Sequence, residues 1–227
     1  MIPMVRPSQL TLPWEPGSAL GRADFIVGLG NAAAVRFVDS WPDWPGPAAL
    51  FGPAGCGKSH LVQAWAATAG AVVFAASTLD QDGIAALDPA CPVAVEDVER
   101  APPGEGRDRA LFALFERGTP FLLTGRAPPP EWPFALPDLG SRFAALIGLP
   151  LWAPDDALLA ALARKLFTDR QLAVPDAVIM RMVTSLERAP GAIREFVAMA
   201  DARALAEKRP VNTGLIRQLL EEAGTSS

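Results

Sequence analysis

At 227 residues, half of them hydrophobic and 20% charged, the chain is long enough for one large domain or two small ones with a packed core. A net charge of −5 and a pI near 5.0 argue against whole-surface attraction to nucleic acid, though not against a local basic patch. Cys56 and Cys91 lie far apart and His60 is the single histidine, so no zinc-ligand spacing exists.

Two free thiols suit a reducing compartment. No basic-then-apolar leader opens the chain, and no apolar run is long enough to span a bilayer. The expected location is cytoplasmic, with no membrane contact.

Residues 1–18 read as an N-terminal tail. In MIPMVRPSQLTLPWEPG, Leu10, Leu12 and Trp14 alternate with polar or small residues, a strand period. Pro13 interrupts the run and Pro16 ends it, which disfavours a central strand. Either this piece folds back on its own domain or it is an extended peptide offered to another protein. Next, NAAAVRFVDSW reads as a short amphipathic helix, with Asn31 as N-cap and Ala33, Phe37 and Val38 on or near one face.

PAALFG, AVVFAA, CPVAVEDV and PFLLTG read as short apolar strands. Between them, GPAGCGKSHLVQAWAATAG turns from loop into helix. RDRALFALFERG is a helix with Leu111, Leu114 and Phe115 inward. This alternation predicts an α/β fold, a parallel sheet covered on both faces. From Pro154 the pattern is helical only. DDALLAALARKLFTDRQ begins with Asp155 and Asp156, which suit a helix N-terminus. VPDAVIMRMVTSLER, APGAIREFVAMADARALAEK and NTGLIRQLLEEAG follow. A boundary near 151–154 separates an α/β part (19–152) from a helical part (153–227).

Gly52-Pro53-Ala54-Gly55-Cys56-Gly57-Lys58-Ser59 fits GxxxxGK[ST], after a strand and opening a helix, the context that motif requires. The glycines let backbone N–H groups converge on a polyphosphate at a helix N-terminus. Lys58 would neutralise the β/γ-phosphates, and the Ser59 hydroxyl would reach Mg²⁺. Cys56 and His60 lie within this nucleotide-binding stretch, the first as loop filler rather than a redox switch. His60 reads as a first-turn packing residue rather than a catalytic base.

PVAVEDVE puts Glu96 and Asp97 at the C-terminal end of a buried strand, facing the nucleotide crevice. There carboxylates hold Mg²⁺, directly or through water, and polarise an attacking water. Glu99 lies past the strand end. Thr124 ends a further strand and either senses the γ-phosphate or satisfies its own turn. Arg142 and Arg194 are far from the phosphate loop in sequence. Arginine suits bidentate phosphate recognition, yet for the residues alone a surface ion pair is the commoner outcome.

FIVGLGN, GPAGCGKSHLVQA, VAVEDV, LLTGRAPP, LGSRFAALIGLPL and GAIREF, in this order, resemble the AAA+ module of the bacterial replication initiator DnaA, over about residues 24–220. The resemblance implies an AAA+ P-loop subdomain followed by a small helical lid, binding ADP or ATP with Mg²⁺. It implies that Arg194 is the sensor-2 arginine, reaching from the lid to the phosphates. It makes Arg142, in LGSRF, an arginine finger acting in trans on nucleotide held by a neighbouring subunit. The adenine would pack at residues 25–28, against Phe25 and Val27. Glu96 stands where the family holds magnesium with Asp, and the family's sensor-1 Asp falls at Arg126. Both departures imply weak intrinsic hydrolysis with binding intact. The chain ends at Ser227, just after the lid, where the initiator would continue into a DNA-reading helix-turn-helix domain.

QLTLPW resembles the QL-[SD]-LPL-type peptide by which bacterial proteins dock on the replicative sliding clamp. Gln9, Leu10, Leu12, Pro13 and Trp14 match in type, Trp14 standing where an aliphatic residue or Phe is commoner. Clamp peptide and AAA+ module together resemble the DnaA-related proteins that inactivate the initiator once replication has begun. The partners so implied are DnaA and the sliding clamp, the β subunit of DNA polymerase III, with DNA reached only through the clamp. A homodimer or higher oligomer stays open. So do two other functions: a stand-alone ATPase remodelling protein or DNA with Lys58, Glu96 and Asp97, and a nucleotide-binding adaptor without a catalytic role.

Overall fold

Short runs of Ala, Val, Leu and Phe can bury both faces only inside a sheet covered on each side. The computed structural model, which describes residues 21–224, builds that sheet; residues 9–14 lie outside the described residues. The strands are β1 (Ala48–Phe51), β2 (Val72–Ala75), β3 (Val93–Glu96), β4 (Phe121–Gly125) and β5 (Ile147–Pro150). They pair in parallel in the order β2-β3-β4-β1-β5. β5 is the one strand the periodicity does not reveal. Ile-Gly-Leu-Pro carries two strand-poor residues, which are tolerated because β5 lies at the sheet edge.

Alternation along each strand divides two cores. Ala48, Leu50, Ala94 and Leu122 face one side, where they meet Val35, Val38, Leu61, Val62 and Trp65. These last residues come from α1 (Ala32–Asp39) and α2 (Lys58–Ala69). Ala49, Val93, Val95 and Leu123 face the other side, against Leu111, Leu114, Trp132 and Phe143. That side is covered by α3 (Gln81–Ala85), α4 (Glu105–Glu116) and α5 (Asp138–Ala144). On α1 the buried residues are Ala34, Val35 and Val38; Ala33 is exposed and Phe37 half-buried. The buried face is therefore rotated from the expected one, with Phe37 at the margin of this core against the Trp44 ring at 4.9 Å.

One buried ion pair braces the second core. Asp108 on α4 is fully buried and accepts from the backbone N–H groups of Ala135 (2.6 Å) and Leu136 (2.9 Å). Its neighbour Arg107 donates to Asp108 (2.7 Å) and to the carbonyls of Val98, Ala101 and Pro133. The pair thus ties the loop after β3 to the loop before α5. Burial alone would raise the Asp108 pKa. The two N–H donors and the Arg107 guanidinium outweigh it and hold the carboxyl below its usual range.

The C-terminal part is α6 (Asp156–Asp169), α7 (Asp176–Ser185), α8 (Pro190–Glu207) and α9 (Thr213–Gly224), packed around Leu159, Phe167, Met182, Ile193, Val197 and Leu215. As its sequence predicts, Asp155 caps α6, accepting from the Leu158 N–H at 2.8 Å. The segment before α1 bridges the two parts: Ile26 packs on the helical core, and Asp24 pairs with Lys165 of α6 at 2.6 Å. Among the described residues, no helix is long and apolar enough to cross a membrane.

Candidate nucleotide-binding site

The loop between β1 and α2 needs its glycines for steric reasons. Gly52 has φ +152°, and a Cβ there would fall 2.0 Å from the Leu151 carbonyl oxygen. Gly57 has φ +104°, and its Cβ would press on the Phe25 ring at 3.2 Å. Gly55 is also left-handed, with φ +74°. The Lys58 ammonium, buried at the start of α2, donates to the carbonyls of Gly52 (2.7 Å) and Pro53 (2.9 Å), with the Cys56 sulfur at 3.7 Å. Ser59 is exposed in the first turn of α2.

A cavity of about 410 Å³ opens over this loop, within the usual range for small-molecule sites. Gly55, Cys56, Gly57, Lys58, Ser59 and His60 line it, together with Phe25, Asp97 and Arg194. The lid thus contributes an arginine from α8 to a cavity whose floor is the phosphate loop. Gly52, Val27, Glu96, Thr124 and Arg142 do not line it. Val27 is exposed, and the adjacent Ile26 and Leu29 line the cavity instead. Asn31 explains that loop. It occupies the N-cap position of α1, but its side chain bonds no N–H of the helix. Its Oδ1 accepts from Gly28 N–H at 2.9 Å and its Nδ2 donates to the Ile26 carbonyl at 3.0 Å, holding the turn.

His60 joins three elements. Its ring packs edge-on against Phe25 at 5.1 Å. Nε2 lies 3.1 Å from the Gly21 carbonyl and Nδ1 lies 3.4 Å from an Arg194 nitrogen. Arginine only donates, so Nδ1 accepts and Nε2–H donates to Gly21. Burial pulls the His60 pKa below its ordinary value, favouring this neutral form, and lowers that of Arg194 too.

At the ends of β3 and β4 the polar groups divide. Asp97 adopts a left-handed conformation (φ 58°, ψ 42°), and its N–H donates to the Thr124 hydroxyl at 3.0 Å. Thr124, in β4, thereby holds the turn after β3, a partner outside its own turn that the sequence does not anticipate. Asp97 lines the cavity and pairs with Arg100 at 3.1 Å. Glu96 keeps one buried carboxylate oxygen, Oε1, with no hydrogen-bond partner. An orphaned carboxylate oxygen fits a cation ligand. Among the described residues, no cluster of three or more acidic, His or Cys side chains could hold a metal alone. Any Mg²⁺ here would depend on phosphate oxygens plus Ser59 and Glu96, as is usual for that ion.

Arg142 lies elsewhere, on α5, with its guanidinium 4.2 Å above the Phe112 ring and paired with Glu116 at 2.5 Å. Sequence reasoning missed Leu29 (96% exposed), Trp152 (64% exposed) and Leu158, all of which line the cavity, as does Arg126, the residue at the family's sensor-1 position. Leu29 and Trp152 carry a usable signal: large apolar residues in Gly- and Pro-flanked loops, where no core requires them.

No protein-family model and no curated protein matches the sequence. Solved structures do. Domain III of the Thermotoga maritima replication initiation protein DnaA superposes with a TM-score of 0.73 at 19% identity, covering 89% of this chain and 96% of that one. AMPPCP-bound DnaA from Aquifex aeolicus gives 0.67 at 19% identity, over 79% of this chain, which spans 64% of that chain's length. A RuvB mutant from Thermotoga maritima gives 0.67 at 15% identity, over 88% of this chain and 71% of that one. Likeness at such identities speaks for architecture, and it agrees with the strand order and phosphate loop above: this chain has the AAA+ P-loop fold, a parallel sheet flanked by helices with a helical lid, like domain III of DnaA and RuvB.

Proposed function

We propose that this protein is a negative regulator of DNA replication initiation of the Hda (HdaA) type. In this proposal it binds ADP or ATP, is recruited by the DNA-loaded sliding clamp, and stimulates hydrolysis of ATP held by DnaA. The observation that carries the proposal is the position of Arg142. It lies half-exposed on α5 and is absent from the lining of the chain's own cavity. An arginine finger so placed has no phosphate to serve in cis and is available to a nucleotide on another subunit. Resemblance of the six motifs to DnaA, and the likeness to domain III, support DnaA as that subunit.

In the chain's own site, Lys58 would exchange the carbonyls of Gly52 and Pro53 for phosphate oxygens. Arg194 would close from the lid, and Phe25 would pack the base. Ser59 and Glu96 would hold Mg²⁺, which when bound neutralises phosphate charge. Bound nucleotide would hold lid and sheet together and so present the α5 face in a fixed orientation. Lys58→Ala should therefore abolish the rise in melting temperature on adding ADP or ATP. At about 100 times Kd the wild-type protein should gain about 2.7 kcal/mol from ligand. An undiminished shift in the variant would count against the site.

The clamp arm rests on sequence. Gln9 would anchor by hydrogen bonds, while Leu10, Leu12 and Trp14, turned by Pro13, would enter an apolar groove. Replacing Leu12 and Trp14 together with alanine should lower clamp affinity at least tenfold and leave the melting temperature unchanged. Surface plasmon resonance against immobilised clamp measures the first and calorimetry the second. Unchanged clamp affinity would refute the peptide's role. Contact with DNA is then indirect, through the clamp.

A further inference from the structure

Among the described residues Arg194 has one hydrogen-bond partner, and that partner is uncharged. Its guanidinium lies 3.4 Å from Nδ1 of His60. The acidic residue whose charge reaches it, Asp24, is already paired with Lys165 at 2.6 Å. Burial lowers the Arg194 pKa, and the charge of Arg170 acts in the same direction. A half-buried cation in such a setting ordinarily takes a carboxylate. Here it takes a neutral ring. That ring belongs to the first turn of α2, two residues after Lys58, so the phosphate-loop helix itself holds the lid arginine. The start of α8 comes close to the loop as well: a Cβ on Gly55 would lie 3.3 Å from the Ala189 Cβ.

The imidazole is fixed before it meets Arg194. Buried Phe25 packs edge-on against it at 5.1 Å. The Gly21 carbonyl lies 3.1 Å from Nε2 and also accepts from the Asp24 N–H at 3.0 Å. The turn that presents this carbonyl is pinned twice, by Arg22 to Asp39 of α1 at 2.7 Å and by Asp24 to Lys165 of α6. A carbonyl only accepts, so Nε2 carries the proton and Nδ1 keeps a lone pair facing Arg194.

A carboxylate in place of Nδ1 would hold the guanidinium more tightly, but it would cancel the charge and compete with an incoming phosphate. A neutral acceptor fixes the direction of the guanidinium and leaves its charge to the anion. A group ordered before its ligand arrives loses less freedom on binding it.

We propose that His60 is a positioning residue for the nucleotide site: its neutral Nδ1 holds the Arg194 guanidinium at the cavity without cancelling its charge. This role rests on the nucleotide reading under Proposed function, in which Arg194 meets phosphate.

Two measurements test it. His60 is the single histidine of the chain, so in untagged full-length protein the imidazole nitrogens give one set of 15N resonances. At neutral pH these should show a proton on Nε2 and none on Nδ1, and Arg194→Ala should shift the Nδ1 resonance. A proton on Nδ1, or an Nδ1 resonance indifferent to Arg194→Ala, would overturn the contact, with or without nucleotide. The second measurement is ADP affinity by calorimetry. His60→Phe keeps a ring against Phe25 and should raise the Kd about three- to tenfold, the scale of one lost hydrogen bond. His60→Asn sets an amide oxygen near the place of Nδ1 and should recover most of the loss. His60→Gln, which reaches toward the place of Nε2 instead, should recover little. In an Arg194→Ala background, His60→Phe should change the Kd less than about twofold, because a positioning residue acts through the group it positions. Equal effects in both backgrounds, or equal affinities for the Phe and Asn variants, would overturn the role and leave the nucleotide site standing. No ADP binding by the unaltered chain would remove the site itself, and the role of His60 with it. Cooperative melting of each variant confirms that the affinities report on folded protein.

Discussion

Arg142→Ala is expected to cut the stimulation of DnaA-bound ATP hydrolysis by about 10³-fold or more, the scale of arginine-finger contributions to phosphoryl transfer. That corresponds to roughly 4 kcal/mol of transition-state stabilisation. Nothing comparable should be lost from the fold. The Arg142–Glu116 pair has an exposed partner, and exposed ion pairs contribute about 0–1 kcal/mol. The stacking on Phe112 adds about 0.5–1 kcal/mol at such a site. These modest restraints also mean that Arg142 can leave Glu116 when a phosphate is presented. Arg142→Lys should rescue little, because one ammonium cannot replace two parallel N–H donors. Single-turnover hydrolysis with each variant measures the effect, and clamp and nucleotide affinities serve as controls. Stimulation at the wild-type rate by Arg142→Ala would end its assignment as a finger.

The second large effect is structural. Asp108→Ala should lower the unfolding free energy by about 3–5 kcal/mol, as when one partner of a buried pair is removed. It strands the N–H groups of Ala135 and Leu136 and leaves the Arg107 charge buried without its carboxylate. Urea titration should show the midpoint fall with little change in slope. A loss below about 1 kcal/mol would place Asp108 among ordinary surface contacts. Its titration gives a matching pH dependence. The folded-state pKa is depressed, so the stabilisation is fully present above the unfolded value of about 3.9. It is lost as pH falls through the folded-state value. Between neutral pH and about pH 3, wild type should therefore lose more stability than Asp108→Asn does. Equal losses would contradict the assigned shift.

The sequence shows those features of the fold whose causes are local. Strands β1 to β4 announced themselves because a strand buried on both faces must be continuously apolar, and the phosphate loop because its glycines answer to backbone geometry. α6 carried its own cap in Asp155. By contrast, β5 is held by pairing with β1 rather than by composition, and Gly148 and Pro150 disguised it. Asn31 was legible as a helix-start residue, but which partners its amide takes depends on the fold of the turn before it. Nothing in the helical pattern of α4 marks Arg107 and Asp108 as buried. Their burial depends on two loops that meet only in the folded chain. In the site, Arg194 from α8 and the loop after β1 line one cavity, whereas Leu29 and Trp152 reach it from loops whose path only the folded chain fixes. Glu99 lies past the end of β3, and its bond to the Ala127 N–H at 2.6 Å depends on two loops distant in sequence.

The proposed action of this chain is on nucleotide bound by DnaA. DnaA preloaded with labelled ATP should be mixed with this protein, ADP and clamp loaded on DNA, and then with each omitted in turn. Conversion to DnaA-ADP is expected only when all components are present. Absence of conversion with every component present would contradict it, as would equal conversion without this protein.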